Sequence, residues 1–328
     1  MMGEEHVRPV SPRSGDVRLG TGPYLVESTV KESTMRRREL LAGVGASLLG
    51  ASVFPWRWVA ADQTKRQRVL YFTRNVGYYH SVVARSNDEL SHSERILVEL
   101  GKQHGFDVEC TKDGRVFDDD LERYGVIAFY TNGDLTEPNP RNDPPMTAAG
   151  KQRLLDAIAA GKSFVGLHST CNSWATPGPA DEPNEQIDPF LQMLGGEFVA
   201  HGPQQKAVMR VTSPEFPGLQ GLGDSFELLE EWYAMKNFAR DLHVILVQET
   251  AGMQGDCYQR PPFPSTWARM HGKGRVYFNS MAHREDVWET DPFQQTLLGG
   301  MAWALGNVDA DVTPNIRQVT PHAWQLKG

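Results

Sequence analysis

Four apolar runs separated by helical segments occupy residues 68–167, and this alternation constrains the fold more than any other feature. Arg68-Val69-Leu70-Tyr71-Phe72-Thr73 is rich in aromatic and branched residues, and Gly77 breaks the loop after it. Residues 93–104 place Ile96, Leu97 and Leu100 on one helical face, and Gly105 stops the helix. A strand returns at residues 106–111, followed by a short, acidic-started helical turn at residues 118–124. Gly125-Val126-Ile127-Ala128-Phe129-Tyr130 is apolar throughout, as a strand covered on both faces must be. Thr147 is placed to cap a helix that ends at Gly161, and Ser163-Phe164-Val165-Gly166-Leu167 is the next buried strand. Strands alternating with helices predict an α/β fold, a mostly parallel central sheet with helices on both faces. Right-handed crossovers then bring the C-terminal strand ends to one edge, where ligands bind in such sheets.

The second half is more mixed. Strands are expected near residues 207–211, 225–229, 243–248 and 275–279, with a last helix over residues 292–305. Three Gly- and Pro-rich connections, residues 131–146, 172–187 and 251–264, are long enough to fold over the ligand edge as lids. No repeat or low-complexity tract interrupts the chain, so residues 62–310 are expected to be one domain and residues 311–328 a C-terminal tail.

The first 61 residues do not share this pattern. Residues 1–34 are polar and aperiodic, and are expected to be a non-native or disordered extension. Met35 opens Arg36-Arg37-Arg38-Glu39-Leu40-Leu41, a small and apolar run through Phe54, and then Val59-Ala60-Ala61. A basic start, a short apolar middle and small residues at the end compose an export signal over residues 35–61. Its paired arginines point to the twin-arginine route, hence to a periplasmic or extracellular protein that is membrane-anchored only if the signal stays uncleaved. Removing residues 1–61 takes eight basic and six acidic side chains from totals of 33 and 41, leaving 25 and 35 and a formal charge of −10. That balance speaks against nucleic acid and anionic membrane surfaces as partners. Cys110, Cys171 and Cys257 lie far apart, which allows at most one disulfide and no metal-type cysteine pair.

Residues able to do chemistry gather where the strands should end. His80 follows the first strand in Gly77-Tyr78-Tyr79-His80, and His168 closes another in Gly166-Leu167-His168-Ser169. His201 follows Gly195-Gly196-Glu197-Phe198-Val199-Ala200, and His283 lies just past the strand that ends at Asn279. Glu230-Glu231-Trp232-Tyr233 adds carboxylates beyond a further strand. Histidines and carboxylates at one edge suit metal ligation or acid–base work near neutral pH. Consecutive side chains on extended backbone point opposite ways, so at most one of Glu230 and Glu231 faces the cleft. Ser169, Thr170 and Cys171 are placed at the start of an expected helix, where hydroxyls cap free N–H groups and a thiolate would be stabilised, with a buried, inert thiol the favoured reading of Cys171. His104, His243, His271 and His322 have no such placement and are read as structural.

These pieces, together with Pro264, Trp267, Gly272-Lys273-Gly274-Arg275-Val276-Tyr277, Trp288, Pro292-Phe293 and Gly300-Met301-Ala302-Trp303-Ala304, occur in the order found in the ThuA-like (trehalose-utilisation) family. The sequence resembles that family from about Arg68 to Gly306. The resemblance implies a flavodoxin-like sandwich, the fold of class I glutamine amidotransferases. In those enzymes a cysteine at a strand–turn–helix elbow is completed by a later His and Glu. Here His168 takes the elbow position, and His283 with Glu285 resembles the later pair, so thioester chemistry on glutamine is not expected. The resemblance further implies carbohydrate metabolism through sugars or 3-keto-glycosides. The resulting expectation is a metal-assisted enzyme, with a non-catalytic carbohydrate-binding or accessory protein as the alternative. His168, His283 and Glu231 are the expected catalytic residues. His168, His201 and His283 are the expected ligands of a divalent metal ion, zinc or similar. His80, Ser169, Tyr233 and Trp174 are expected to contact a small carbohydrate, with Trp267 able to pack on a sugar face or in the core. A homo-oligomer is compatible with all of this.

Overall fold

The computed structural model describes residues 66–87 and 89–327. The extension and export signal expected over residues 1–61 lie outside them. The strands are β1 (Gln67–Phe72), β2 (Phe106–Thr111), β3 (Val126–Phe129), β4 (Ser163–Leu167), β5 (Glu197–His201), β6 (Gln205–Val211), β7 (Ser225–Glu230), β8 (Tyr233–Lys236), β9 (His243–Gln248), β10 (Phe263–His271) and β11 (Gly274–Asn279). The main helices are α1 (His92–His104), α2 (Ala148–Ala160), α3 (Pro189–Leu194) and α4 (Asp291–Ala304). Nine strands form one sheet in the order β2-β1-β3-β4-β11-β10-β9-β6-β7, while β5 and β8 pair separately.

The protein is an α/β fold, and its parallel part is the one the apolar runs predict. β1 pairs parallel with β2 and β3, β3 with β4, and β4 with β11. Every residue of β3 and β4 is buried, so both faces of these strands are covered. The helices begin and end on the signals in the sequence. Ser91 and Glu94 form a reciprocal cap on α1, the Thr147 side chain accepts from the Gly150 N–H of α2, and Gly105 takes a left-handed φ of 84° to end α1.

Beyond β11 the sheet turns antiparallel, since β10 runs against both β11 and β9. Much of β10 escapes a sequence reading because Pro264 looks like a loop residue. The ladder tolerates it through register shifts between Pro264 and Thr266 and between Thr266 and Trp267. Trp267 belongs to the core and is not on a sugar face. Its ring stacks on Phe278 at 4.4 Å, and its indole N–H donates to the Leu194 carbonyl at 2.9 Å. Trp267→Ala is expected to destabilise the protein by about 3–5 kcal/mol, measured by urea titration, through the cavity it leaves.

The three connections expected to be lids are tied down. The fully buried Arg74 guanidinium donates to the carbonyls of Leu135, Glu137 and Asp143, which fixes residues 131–146 against the end of β1. Lys236 donates to the carbonyls of Pro179 and Glu182, and Asn184 pairs with Asn237, which holds residues 172–187. Residues 251–264 are held by Gln205, which bonds both the N–H and the carbonyl of Gln254, and their end is already β10.

Candidate active site

β4 and β11 are parallel neighbours in a register that sets Leu167 opposite Asn279. The residues that follow, His168 and Ser280–His283, therefore leave the sheet side by side. His168 takes a left-handed φ of 42°, uncommon for a residue with a side chain, and opens a five-residue 3-10 turn. β7 ends at Glu230 and β8 starts at Tyr233, so Glu231 lies on the short link between them. In the small sheet Tyr233 pairs with His201, and His80 enters from the loop after β1.

These elements bring His80, His168, Glu231 and His283 together. All four are buried, and one donor atom from each lies within 4.8 Å of the others. His168 Nδ1 is 2.8 Å from the Ser280 carbonyl, which can only accept, so Nδ1 carries the proton and the Nε2 lone pair is left for the group. His283 Nδ1 lies 3.3 Å from His168 Nε2 and 3.0 Å from Glu231 Oε2. Glu231 Oε2 is also 3.7 Å from His168 Nε2, and its Oε1 is 3.4 Å from His201 Nδ1. His80 Nε2 meets the Tyr233 hydroxyl at 3.3 Å, and its buried Nδ1 has no hydrogen-bond partner. The Tyr233 ring packs on His168 with centroids 4.1 Å apart.

Burial sets the protonation of the group. It lowers the His80 pKa to about 2, helped by the charges of His168 and His283, and it lowers that of His168 against the opposing pull of Glu231. Neutral imidazoles are the form that binds a metal. Burial alone would raise the Glu231 pKa, but its interactions with His168 and His283 outweigh this and hold the carboxyl well below the usual range. One carboxylate and three imidazoles, with His168 oriented by a backbone carbonyl, form a donor set suited to zinc or a similar divalent ion.

His168, His283, Glu231, His80 and Tyr233 are thus brought together. His201 stands outside the four, with a side chain 44% exposed, and meets the group through Glu231 and the Tyr233 ring on which it stacks. Ser169 is fully buried, and its hydroxyl has no partner. The cap is made instead by Thr170, whose hydroxyl accepts from the Leu167 N–H and lies 2.8 Å from the Phe129 and Leu167 carbonyls. Trp174 is placed elsewhere: its ring meets Phe190 of α3 and lies beneath Lys151 of α2. Cys171 sits in the 3-10 turn rather than at a helix start. Its thiol donates to the His168 carbonyl, and burial pushes its pKa up, so no thiolate is stabilised there. Glu285 is exposed, and its backbone carbonyl bonds His92; the carboxylate beside His283 is Glu231.

Two neighbours, Tyr130 and Tyr78, were given no role by the sequence, and a third, Glu230, was named only as the alternative to Glu231. Tyr130 packs on His80 and His168, with a buried and unpartnered hydroxyl. Tyr78 is 63% exposed with its ring edge on His80, its carbonyl fixed by the Asn132 amide at 3.1 Å. Glu230 is fully buried, and its carboxylate meets the backbone N–H groups of Glu231, Ala282 and His283. Of the two tyrosines, Tyr78 carried a readable signal, an aromatic directly before the Tyr79-His80 pair.

A profile of the ThuA family, described as trehalose utilisation, matches residues 68–304. Among solved structures, a ThuA-like protein from Bacteroides uniformis is similar at a TM-score of 0.54 and 17% identity, over 76% of this chain and 95% of that one. A ThuA-like protein from Parabacteroides merdae is similar at a TM-score of 0.53 and 18% identity, over 75% of this chain and 93% of that one. Both are likenesses of fold. No curated protein matches the chain.

Proposed function

Because the chain belongs to the ThuA (trehalose utilisation) family, we propose that its buried histidine–glutamate group holds a divalent metal ion and acts on a sugar or 3-keto-glycoside. One observation carries the reading: three imidazoles, two of them kept neutral by burial, meet one ionised carboxylate within 4.8 Å. A bound metal would polarise a substrate carbonyl or activate water. His80, His168, His283 and Glu231 would hold it, while His201, exposed and 3.4 Å from Glu231 Oε1, would pass a proton between solvent and the site. Tyr78 offers an exposed ring on which a sugar face can pack. The convergence of His168 and His283 to 3.3 Å favours chemistry over simple binding, for which scattered histidines would serve. A sequence pattern of twin-arginine export, and a net negative charge that disfavours nucleic acid and anionic surfaces, fit a small carbohydrate as the partner.

The test is a turnover screen of the purified protein with 3-keto-glycosides and their parent disaccharides. It is run with chelator and with added zinc, manganese or cobalt. The expected result is turnover that chelation abolishes and metal restores, and that His168→Ala and His283→Ala each reduce at least about 100-fold. Turnover equal in both variants and the unaltered protein would overturn the assignment.

A further inference from the structure

We infer that Glu230 is a positioning residue whose carboxylate holds the Ala282–His283 turn in the conformation that presents His283 to the site. Ala282 has a φ of 107°, a conformation that residues with a Cβ rarely adopt. Glu230 Oε2 accepts the backbone N–H groups of both Ala282 and His283 at 3.0 Å. Its Oε1 accepts the Glu231 N–H at 2.8 Å. One carboxylate therefore fixes the backbone of both partners in the His283–Glu231 contact, across more than 50 residues of sequence.

The rest of the turn is tethered by neutral groups. The Met281 N–H donates to Asn279 Oδ1, the Ser280 N–H to the Ser265 carbonyl, and the Trp288 indole to the Ala282 carbonyl. Only Glu230 binds the two amides that flank the strained residue. With no exposed surface it cannot itself meet a substrate. A carboxylate accepts from all three N–H groups at once, whereas an amide in its place turns an NH₂ donor toward at least one of them.

The test uses the full chain with Glu230→Gln and Glu230→Ala, each also combined with Ala282→Gly. Two quantities are read: hydrogen exchange at the amides of residues 231, 282 and 283, and the affinity and visible spectrum of cobalt(II). The second readout rests on the metal-holding reading, and the first does not. Glu230→Ala is expected to lose exchange protection at the amides of residues 282 and 283, Glu230→Gln to lose it at one or more of the amides of residues 231, 282 and 283, and both to bind cobalt about 10–100-fold more weakly with an altered spectrum. Glycine adopts positive φ without strain, so Ala282→Gly is expected to recover at least about fivefold of the affinity. Unchanged protection in Glu230→Ala, or weakened binding that Ala282→Gly does not recover, would overturn the inference. If the unaltered chain takes no cobalt, the metal reading fails, and the exchange data alone decide the role of Glu230.

Discussion

Glu231→Gln is expected to lower turnover about 10²–10⁴-fold while a cooperative melt is retained. The substitution keeps the volume of the side chain, so the cost falls on the charge. Glu231 is the only carboxylate in the four-residue group, and it serves His283 at 3.0 Å and His201 at 3.4 Å through different oxygens. Glutamine can keep an acceptor toward one of them, and must then turn its NH₂ toward the other. If the NH₂ faces His283, that ring must give up its Nδ1 proton to avoid two opposed donors. Steady-state kinetics of the variant beside the unaltered protein read the effect, with circular dichroism as the folding control. A change smaller than tenfold would show that the carboxylate is a structural neighbour of the chemistry.

Acidification is expected to destabilise the metal-free protein from about pH 6.5 downward. His80, at about 2, and His168 titrate below their ordinary value of 6.5, so their contribution is present above 6.5 and lost as the pH falls. Glu230 works the other way: burial raises it to about 7, so the folded state takes up its proton before the unfolded one. The histidines and the glutamate oppose each other, and each net proton taken up on unfolding between pH 6.5 and 4.5 costs about 1.4 kcal/mol per pH unit. Below 4.5 the depressed Glu231 joins the histidines while the unfolded Glu230 is also protonated, and the slope steepens. Urea titrations from pH 7.5 to 4 measure this, and His80→Asn is expected to flatten the upper part. A flat profile from pH 7 to 5 would contradict the neutral, buried state of these imidazoles.

The parallel half of the fold was legible because strands covered on both faces must be apolar where they are buried, as β3 is throughout, β1 is over residues 69–72 and β4 over residues 164–167. β5, β8 and β10 were not, for local reasons. β8 is four residues long and ends in Lys236, whose ammonium is buried on loop carbonyls, and β10 carries Pro264 next to a bulge. Of the site, His80, His168, Glu231 and His283 could be found because strand ends in such a sheet converge whatever their separation in sequence. Pairing His283 with Glu285 followed short-range spacing, while the carboxylate that meets it comes from the β7–β8 link. Glu230 could be read only as one of two adjacent carboxylates, and its own contacts left no signal. Its partners are backbone N–H groups, which every residue but proline carries, and the left-handed Ala282 that needs them has no signature in side-chain pattern.

Elemental analysis of the purified protein, beside His168→Ala and His283→Ala, decides whether the histidine–glutamate group holds a metal. About one equivalent of a divalent transition metal per chain is expected after equilibration with zinc or cobalt, falling well below half an equivalent in both variants. Equal metal content in all three proteins, or none in any of them alongside chelator-resistant turnover, would contradict it.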